Sequence, residues 1–418
     1  MARRTGKEKE NKPKSKSKSK SGNKPEMKAE IMTGEKESRK RRLDLSKYTT
    51  GMIMECDYWI LILTVALVIF GIVMVFSAGY YWTIMKTEPD PFYYLKRQGF
   101  FAVVGLVALL FCANFDYHYY RKFTYPIIGA SIFFLILVLT PVGTTVNGAA
   151  RFIYIGPFGI TPSEFSKLAV VLFTAGFLAN DPMRARKFTQ GILPLFAVMA
   201  LHAGLILMQP NLSTAIVICA IMFGVMIVGG LRLWYMGLMG GTAFGGAMYI
   251  LNFVPKEHHW YRRITNFIDP FADAQGEGYQ VSQSLIALGN GGVKGLGLGN
   301  SISKNLYLPE PQNDFILAII GEELGYIGVA LLLIAYLVLI WRCLLVASKA
   351  PDKYGMFIAT GVGIMLALQV IINVAVVTAS MPATGITLPF ISYGGTSLIT
   401  FMGAMGILLN ISRHKEAA

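Results

Sequence analysis

"YWILILTVALVIFGIVMVFSA" occupies residues 58–78 and carries no charged side chain. A helix of about 20 such residues, rising about 1.5 Å per residue, matches the roughly 30 Å hydrocarbon core of a bilayer. The pattern recurs near 98–115, 124–140, 164–180, 190–208, 212–229, 231–254, 314–341, 355–380 and 390–411. The fold expected is therefore an all-α polytopic membrane protein of about ten transmembrane helices. A large extracytoplasmic loop, 254–313, separates helices seven and eight. With 418 residues, 54% of them hydrophobic, and a mean hydropathy of +0.51, the soluble-domain classes are excluded.

The formal charge of +14 invites a nucleic-acid reading until it is located. Residues 1–47 hold seventeen Lys/Arg against seven Asp/Glu, so most of the excess lies in one low-complexity tail. That tail has little apolar surface to bury and no aromatic residues among its charges. It reads as a disordered basic cytoplasmic tail, 1–50, lying against anionic lipid, with no nucleic-acid partner. The membrane domain is 51–412, and 413–418 is a short cytoplasmic C-terminal tail. No signal peptide is expected, and the four cysteines match neither a disulfide framework nor a metal site.

With the tail inside, an even number of spans puts both termini in the cytoplasm. "RKF" (121–123), "RARK" (184–187), Arg232, "WRCLLVASKAPDK" (341–353) and "RHK" (413–415) then all face inward, as the positive-inside rule requires. Polar, Gly-rich and Pro-rich elements gather instead at the junctions of spans 3–4, 5–6, 7–8 and 9–10, within 147–167, 209–214, 255–313 and 382–397. All four face outward by parity. One composite site at the outer membrane surface is expected.

Each candidate has a plain alternative. In "TPSEFSK", Thr161, Pro162 and Glu164 fit a capping box at the head of span four. Lys167 then either pairs with Glu164 one turn away or holds a phosphate. Arg151 offers a planar fork for phosphate or carboxylate, although a lone loop arginine is usually solvated. Arg262 and Arg263 suit an anionic head group, or ion pairs with Asp269 or Asp273. "GLGLG" (295–299) lacks the βαβ context of a nucleotide site, so its glycines read as tight turns and close backbone approach. Ser392 and Tyr393 stand in "SYGGTS" at the head of span ten, where small residues more often pack helices. His202 reads as a satisfied core histidine.

The acids of "LPEPQNDFILAIIGEELGYIG" (308–328) need most explanation, because a carboxylate at bilayer depth costs at least a few kcal/mol. Asp314 fits the first turn of span eight, where a helix N-terminus stabilises it. Glu310 sits in the loop and needs no special account. Glu322 and Glu323 lie roughly 12 Å deeper, Glu322 about 80° round from Asp314 and Glu323 nearly opposite. The three cannot form one cluster. The deep pair is expected to bond to neighbouring helices, and Asp314 is the acid placed for chemistry.

"NGAARFIYIG" with "ITPSEFSK", "GYQVSQSLIALGNGG", "LYLPEPQNDFILAIIGEELGYIG" and "MPATGITLPFISYGGTSL" together resemble the SEDS family of bacterial shape, elongation, division and sporulation proteins. The likeness runs over roughly 58–412, and "ATGITLPFISYGG" and "YLPEPQNDF" are closer to the division and sporulation branches than to the elongation branch. Two positions depart from the family pattern: Asn211 replaces the acid of its usual "QPD", and Phe152 replaces a commoner Trp.

The resemblance implies a peptidoglycan glycosyltransferase that polymerises lipid II, an undecaprenyl-pyrophosphate disaccharide-peptide, at the outer face of the cytoplasmic membrane, for septal synthesis in cell division. It implies that Asp314 is the essential acid and that Lys167 and Arg263 belong to the site; the mechanism expected here makes Asp314 the general base, with Lys167, Arg151 and Arg263 stabilising the leaving pyrophosphate. Arg262, Glu164, Gln209, Ser392 and Tyr393 complete the substrate-binding set. No motif demands a cofactor; a divalent cation, Mg or Mn, is one that the chemistry admits. The implied partners are a class B penicillin-binding protein transpeptidase and other divisome membrane proteins. The rival expectations are a lipid II transporter and a non-catalytic division scaffold.

Overall fold

The computed structural model describes residues 56–87, 90–146, 149–156, 158–181 and 187–232, isolated positions between 234 and 276, and residues 278–414. The basic tail, most of the seventh expected span, and Arg262 and Arg263 lie outside the described residues. Helix α1 (Tyr58–Trp82) starts at Asp57, whose carboxylate accepts the Trp59 amide at 3.2 Å. It is followed by α2 (Tyr93–Asn114), a short α3 (His118–Lys122), α4 (Thr124–Val138), α5 (Pro162–Asn180), α6 (Leu193–Leu207) and α7 (Leu212–Val228). Beyond the large loop come α8 (Tyr279–Gly291), α9 (Ile316–Ser348), α10 (Lys353–Val377) and α11 (Gly395–Arg413). Among the described residues seven helices are long and apolar enough to cross a membrane, and α4 and α7 are shorter apolar helices. Nine of the ten expected spans thus coincide with an apolar helix.

Helices α5 and α11 have 78% of their most apolar window buried and α10 has 67%, against 22% for α2 and 28% for α9. The first three form the centre. The outer ones turn residues such as Val103, Phe111, Leu331 and Leu337 outward, where acyl chains replace protein as the apolar surroundings. One end of the bundle is tied by polar contacts. Arg342 meets Asp57 at 2.6 Å, the Tyr117 hydroxyl donates to Asp352 at 2.7 Å, and Arg413 donates to Asn114 at 3.0 Å. These are the loops and helix ends that the charge pattern assigns to the cytoplasm.

Three features depart from the sequence reading. The junction of spans 3–4 is a three-stranded antiparallel sheet of β1 (Gly143–Val146), β2 (Ala149–Ile155) and β3 (Phe158–Ile160), with Ile153 opposite both Gly143 and Ile160. The last helix begins at Gly395, not near 390, because 382–394 runs as an irregular segment, buried over 388–392 and carrying Pro389.

Third, α9 is broken at Gly325, whose φ of 68° and ψ of −172° leave helical space. The segment 292–315 is inserted at the break, and its backbone takes up the groups the break frees. The Leu296 and Gly297 amides donate to the Glu322 and Glu323 carbonyls at 3.0 and 2.9 Å, and the Tyr326 amide donates to the Gly292 carbonyl at 2.9 Å. Irregular backbone at membrane depth survives only where protein satisfies it in this way.

Candidate active site

The four polar junctions converge. Arg151, on β2, donates to the Pro210 carbonyl at 3.1 Å, joining the 3–4 and 5–6 junctions. The Thr161 amide donates to the Thr396 hydroxyl at 3.1 Å, joining 3–4 to 9–10. Asn373 near the end of α10 donates to two carbonyls at once, Asp314 at 2.7 Å and Ile386 at 2.8 Å, fastening the 7–8 junction to 9–10. The Tyr393 amide adds a bond to the Gln312 carbonyl at 2.9 Å.

Asp314 lies just outside its helix and not in the first turn: α9 starts at Ile316 with Phe315 as N-cap. Its side chain is half-buried. Gly385 marks what it faces. A methyl group built on that glycine would lie 3.8 Å from Asp314 Oδ2 and 4.0 Å from Arg151 Nη1, and otherwise in open space. An acid and a guanidinium therefore border one unfilled point. Burial pushes the Asp314 carboxyl up, its own amide pulls it down, the charge of Glu310 raises it again and Arg151 lowers it; the outcome is about 6. Such a carboxyl is ionised at neutral pH yet basic enough to accept a proton.

Glu310, dismissed on sequence grounds, is thus part of this environment. It adopts a left-handed φ of 47° and accepts the Asn313 side chain at 2.7 Å. The expected capping box does not form. Thr161 makes no side-chain cap, its amide is taken by Thr396, and Glu164 turns to Lys167 at 2.6 Å. Lys167 is 3% exposed, and its ammonium is paired with that carboxylate.

Gln209 is buried and donates to the Leu135 carbonyl at 3.0 Å, while the Ser392 hydroxyl accepts the Leu388 amide at 2.8 Å; both brace backbone. The Tyr393 ring meets Tyr94 edge-on at 4.9 Å. His202 sits in the core between Ser131 at 3.2 Å and the Val198 carbonyl at 3.0 Å.

The deep glutamates are spoken for. Glu322, wholly buried, is met by the Ser301 hydroxyl, the Ser303 amide and hydroxyl at 3.1 Å each, and Asn290 at 3.3 Å. Among the described residues no group of three or more His, Cys, Asp or Glu side chains is placed to hold a metal ion.

Comparison with known proteins bears on what this arrangement does. Residues 58–417 match the cell cycle protein family of FtsW, RodA and SpoVE. The chain is 42% identical to stage V sporulation protein E of Bacillus subtilis over 86% of its own length and 98% of that protein. It is 37% identical to a probable peptidoglycan glycosyltransferase FtsW of Geobacter sp. over 87% and 98%. Among solved structures it resembles a chain of a peptidoglycan synthase complex that coordinates polymerization and crosslinking, with a TM-score of 0.71, 27% identity and coverage of 87% and 100%. It also resembles Thermus thermophilus rod shape determining protein RodA, with a TM-score of 0.64, 28% identity and coverage of 88% and 99%.

Proposed function

The chain belongs to the FtsW/RodA/SpoVE family of multi-pass membrane proteins, and from that premise we propose that it is a peptidoglycan glycosyltransferase polymerising lipid II at the outer face of the cytoplasmic membrane. The observation that carries the reading is the open point bordered by Asp314 and Arg151, built from all four outward junctions. A transferase outside the cell has no nucleotide sugar, so its donor arrives already activated. A polyprenyl-linked diphosphate sugar reaches such a site by diffusing within the membrane.

Asp314 takes the proton from the acceptor's GlcNAc 4-hydroxyl. The oxygen forms a bond to the anomeric carbon of the donor sugar as the bond from that carbon to the pyrophosphate oxygen breaks, with inversion. The lipid pyrophosphate leaves with both bonding electrons, and Arg151 stabilises its charge. Lys167 is balanced by Glu164 and acts on phosphate only if that carboxylate yields it; Arg263 remains a candidate for the same task. A divalent cation, Mg or Mn, would be held chiefly by the substrate's own phosphates, since no group of three or more candidate protein ligands stands among the described residues. Bound there it would neutralise leaving-group charge; the steps above rest on side chains alone. A class B transpeptidase is the partner, joined by other divisome membrane proteins, with both termini cytoplasmic and the septum as the place of action.

Purified protein in liposomes containing labelled lipid II separates the readings. Glycan polymer supports the transferase. Lipid translocation without polymer would replace it with a transporter, and binding without either would make it a scaffold. A second prediction concerns pH. Asp314 must be ionised to act, so the rate should fall as pH drops through about 6. Glu310→Gln removes a charge that holds that pKa up, so its acid limb should move to lower pH; a limb that stays put would show that Glu310 does not face Asp314.

A further inference from the structure

We propose that the buried Glu323–Lys304 ion pair is a latch that seats the inserted segment and positions Asp314, an inference that rests on the glycosyltransferase reading above. The pair joins three elements. Lys304 Nζ lies 2.8 Å from Glu323 Oε1, 2.6 Å from the Gly299 carbonyl and 3.1 Å from the hydroxyl of Ser77 on α1. The Ser77 hydroxyl itself donates to the same carboxylate oxygen at 2.7 Å. Both charged side chains are almost wholly enclosed, 4% exposed for the lysine and 0% for the glutamate.

The position in the chain gives the pair its meaning. Lys304 and Glu323 are the two ends of a loop with Asp314 at its middle, and the ion pair closes that loop. The Leu308 amide bonds the carbonyl of Ser303, just before the loop, at 2.8 Å, and within it the Asn313 amide bonds the Glu310 carbonyl at 3.1 Å, so the strain-bearing turn at Glu310 hangs from the closure. Glu322, one residue away, grips Ser301 and Ser303 of the same segment.

Stability alone is a poor reason for such a pair. Replacing a buried ion pair by apolar groups of similar volume is often neutral or favourable, whereas removing one partner is costly. Glu323 Oε2 also lacks a hydrogen-bond partner among the described residues, an expense that a purely structural contact would avoid. A directional tie, holding the segment in one register, accounts for both.

The test compares Glu323→Gln, Lys304→Met and the double variant with wild type in thermal stability and in three further readouts: polymerisation kinetics, the pH midpoint of the acid limb, and hydrogen exchange of the Leu296, Gly297 and Ser303 amides. Each single variant should lower kcat about tenfold or more, change KM for lipid II by less than about threefold, and speed exchange at those amides. Its acid limb should move below that of wild type as water reaches Asp314. The double variant should regain thermal stability without regaining slow exchange or the wild-type pH midpoint.

Recovery of all three readouts in the double variant would overturn the latch, leaving a pair with no positioning role. Unchanged singles would overturn it equally. Should the singles fail to fold, the double variant alone decides. The exchange readout needs no substrate, so absence of polymer from wild type would sink the glycosyltransferase reading while the seating of the segment is still measured.

Discussion

Gly325→Ala should lower the thermal midpoint of the detergent-solubilised protein by an amount equivalent to about 3 kcal/mol or more. Its φ of 68° with ψ of −172° belongs to a region that essentially only glycine occupies, and forcing a side chain there costs about 1–3 kcal/mol before any clash. The clash adds to it. A Cβ on Gly325 would stand 2.3 Å from the Gly295 amide nitrogen and 2.5 Å from the Val293 carbonyl oxygen, both backbone atoms of the inserted segment. Gly295 has no freedom to retreat: its own φ is 77°, and its Cβ position is 2.2 Å from the Glu323 carbonyl oxygen. Gly289→Ala on α8 is the control. Nothing lies within 4 Å of that Cβ position, so the change should be neutral or stabilising by up to about 1 kcal/mol. A Gly325→Ala protein that melts like wild type would mean α9 runs unbroken and the segment is seated elsewhere.

Asp314→Asn should reduce polymerisation by about 10²–10⁴-fold, the usual worth of a positioned general base. It should do so without loss of stability, and the direction follows from the raised pKa. Folding favours the neutral carboxyl, so that contribution is fully present below the unfolded pKa of about 3.9 and is lost as pH rises through about 6. At pH 8 the wild-type fold bears the cost of an ionised, half-buried acid, at most about 3 kcal/mol and less for the solvent it retains. The amide bears none. The variant should melt at the same temperature as wild type or higher at pH 8, with the difference closing toward pH 4. A variant that is both inactive and markedly less stable at pH 8 would assign Asp314 a structural task.

The spans were legible because a run of apolar residues in a bilayer has one stable conformation, and its length reports its role. That Glu322 and Glu323 needed partners was legible too, from the cost of burying them. Which partners was not. Lys304 lies 19 residues from Glu323, and Ser77 lies 246 residues away on α1, distances that only the fold closes. The break at Gly325 escaped notice because the residue sits in an apolar run that reads as continuous helix, and only the incoming backbone of 292–297 makes a break tolerable. "RFIYI" became a strand because β1 and β3 fold back on it, whereas its Gly-rich flanks read as loop. Glu164 looked like half of a capping box; the amide it would have served was claimed by Thr396, from the far end of the chain. Asp314, expected at the rim of the site, borders the open point at Gly385, whereas its neighbour Glu310 was passed over because loop carboxylates are usually solvated. The convergence of the four polar junctions, expected from parity, is what Arg151, Thr161, Asn373 and Tyr393 realise in hydrogen bonds.

The most direct test of the account is glycan polymerisation from labelled lipid II by wild type and by a folded Asp314→Asn protein, prepared side by side with the cognate transpeptidase present. Polymer from wild type, falling away below about pH 6, and none from the variant at any pH is the predicted result. Equal polymer from both would keep the enzyme and remove Asp314 from its chemistry.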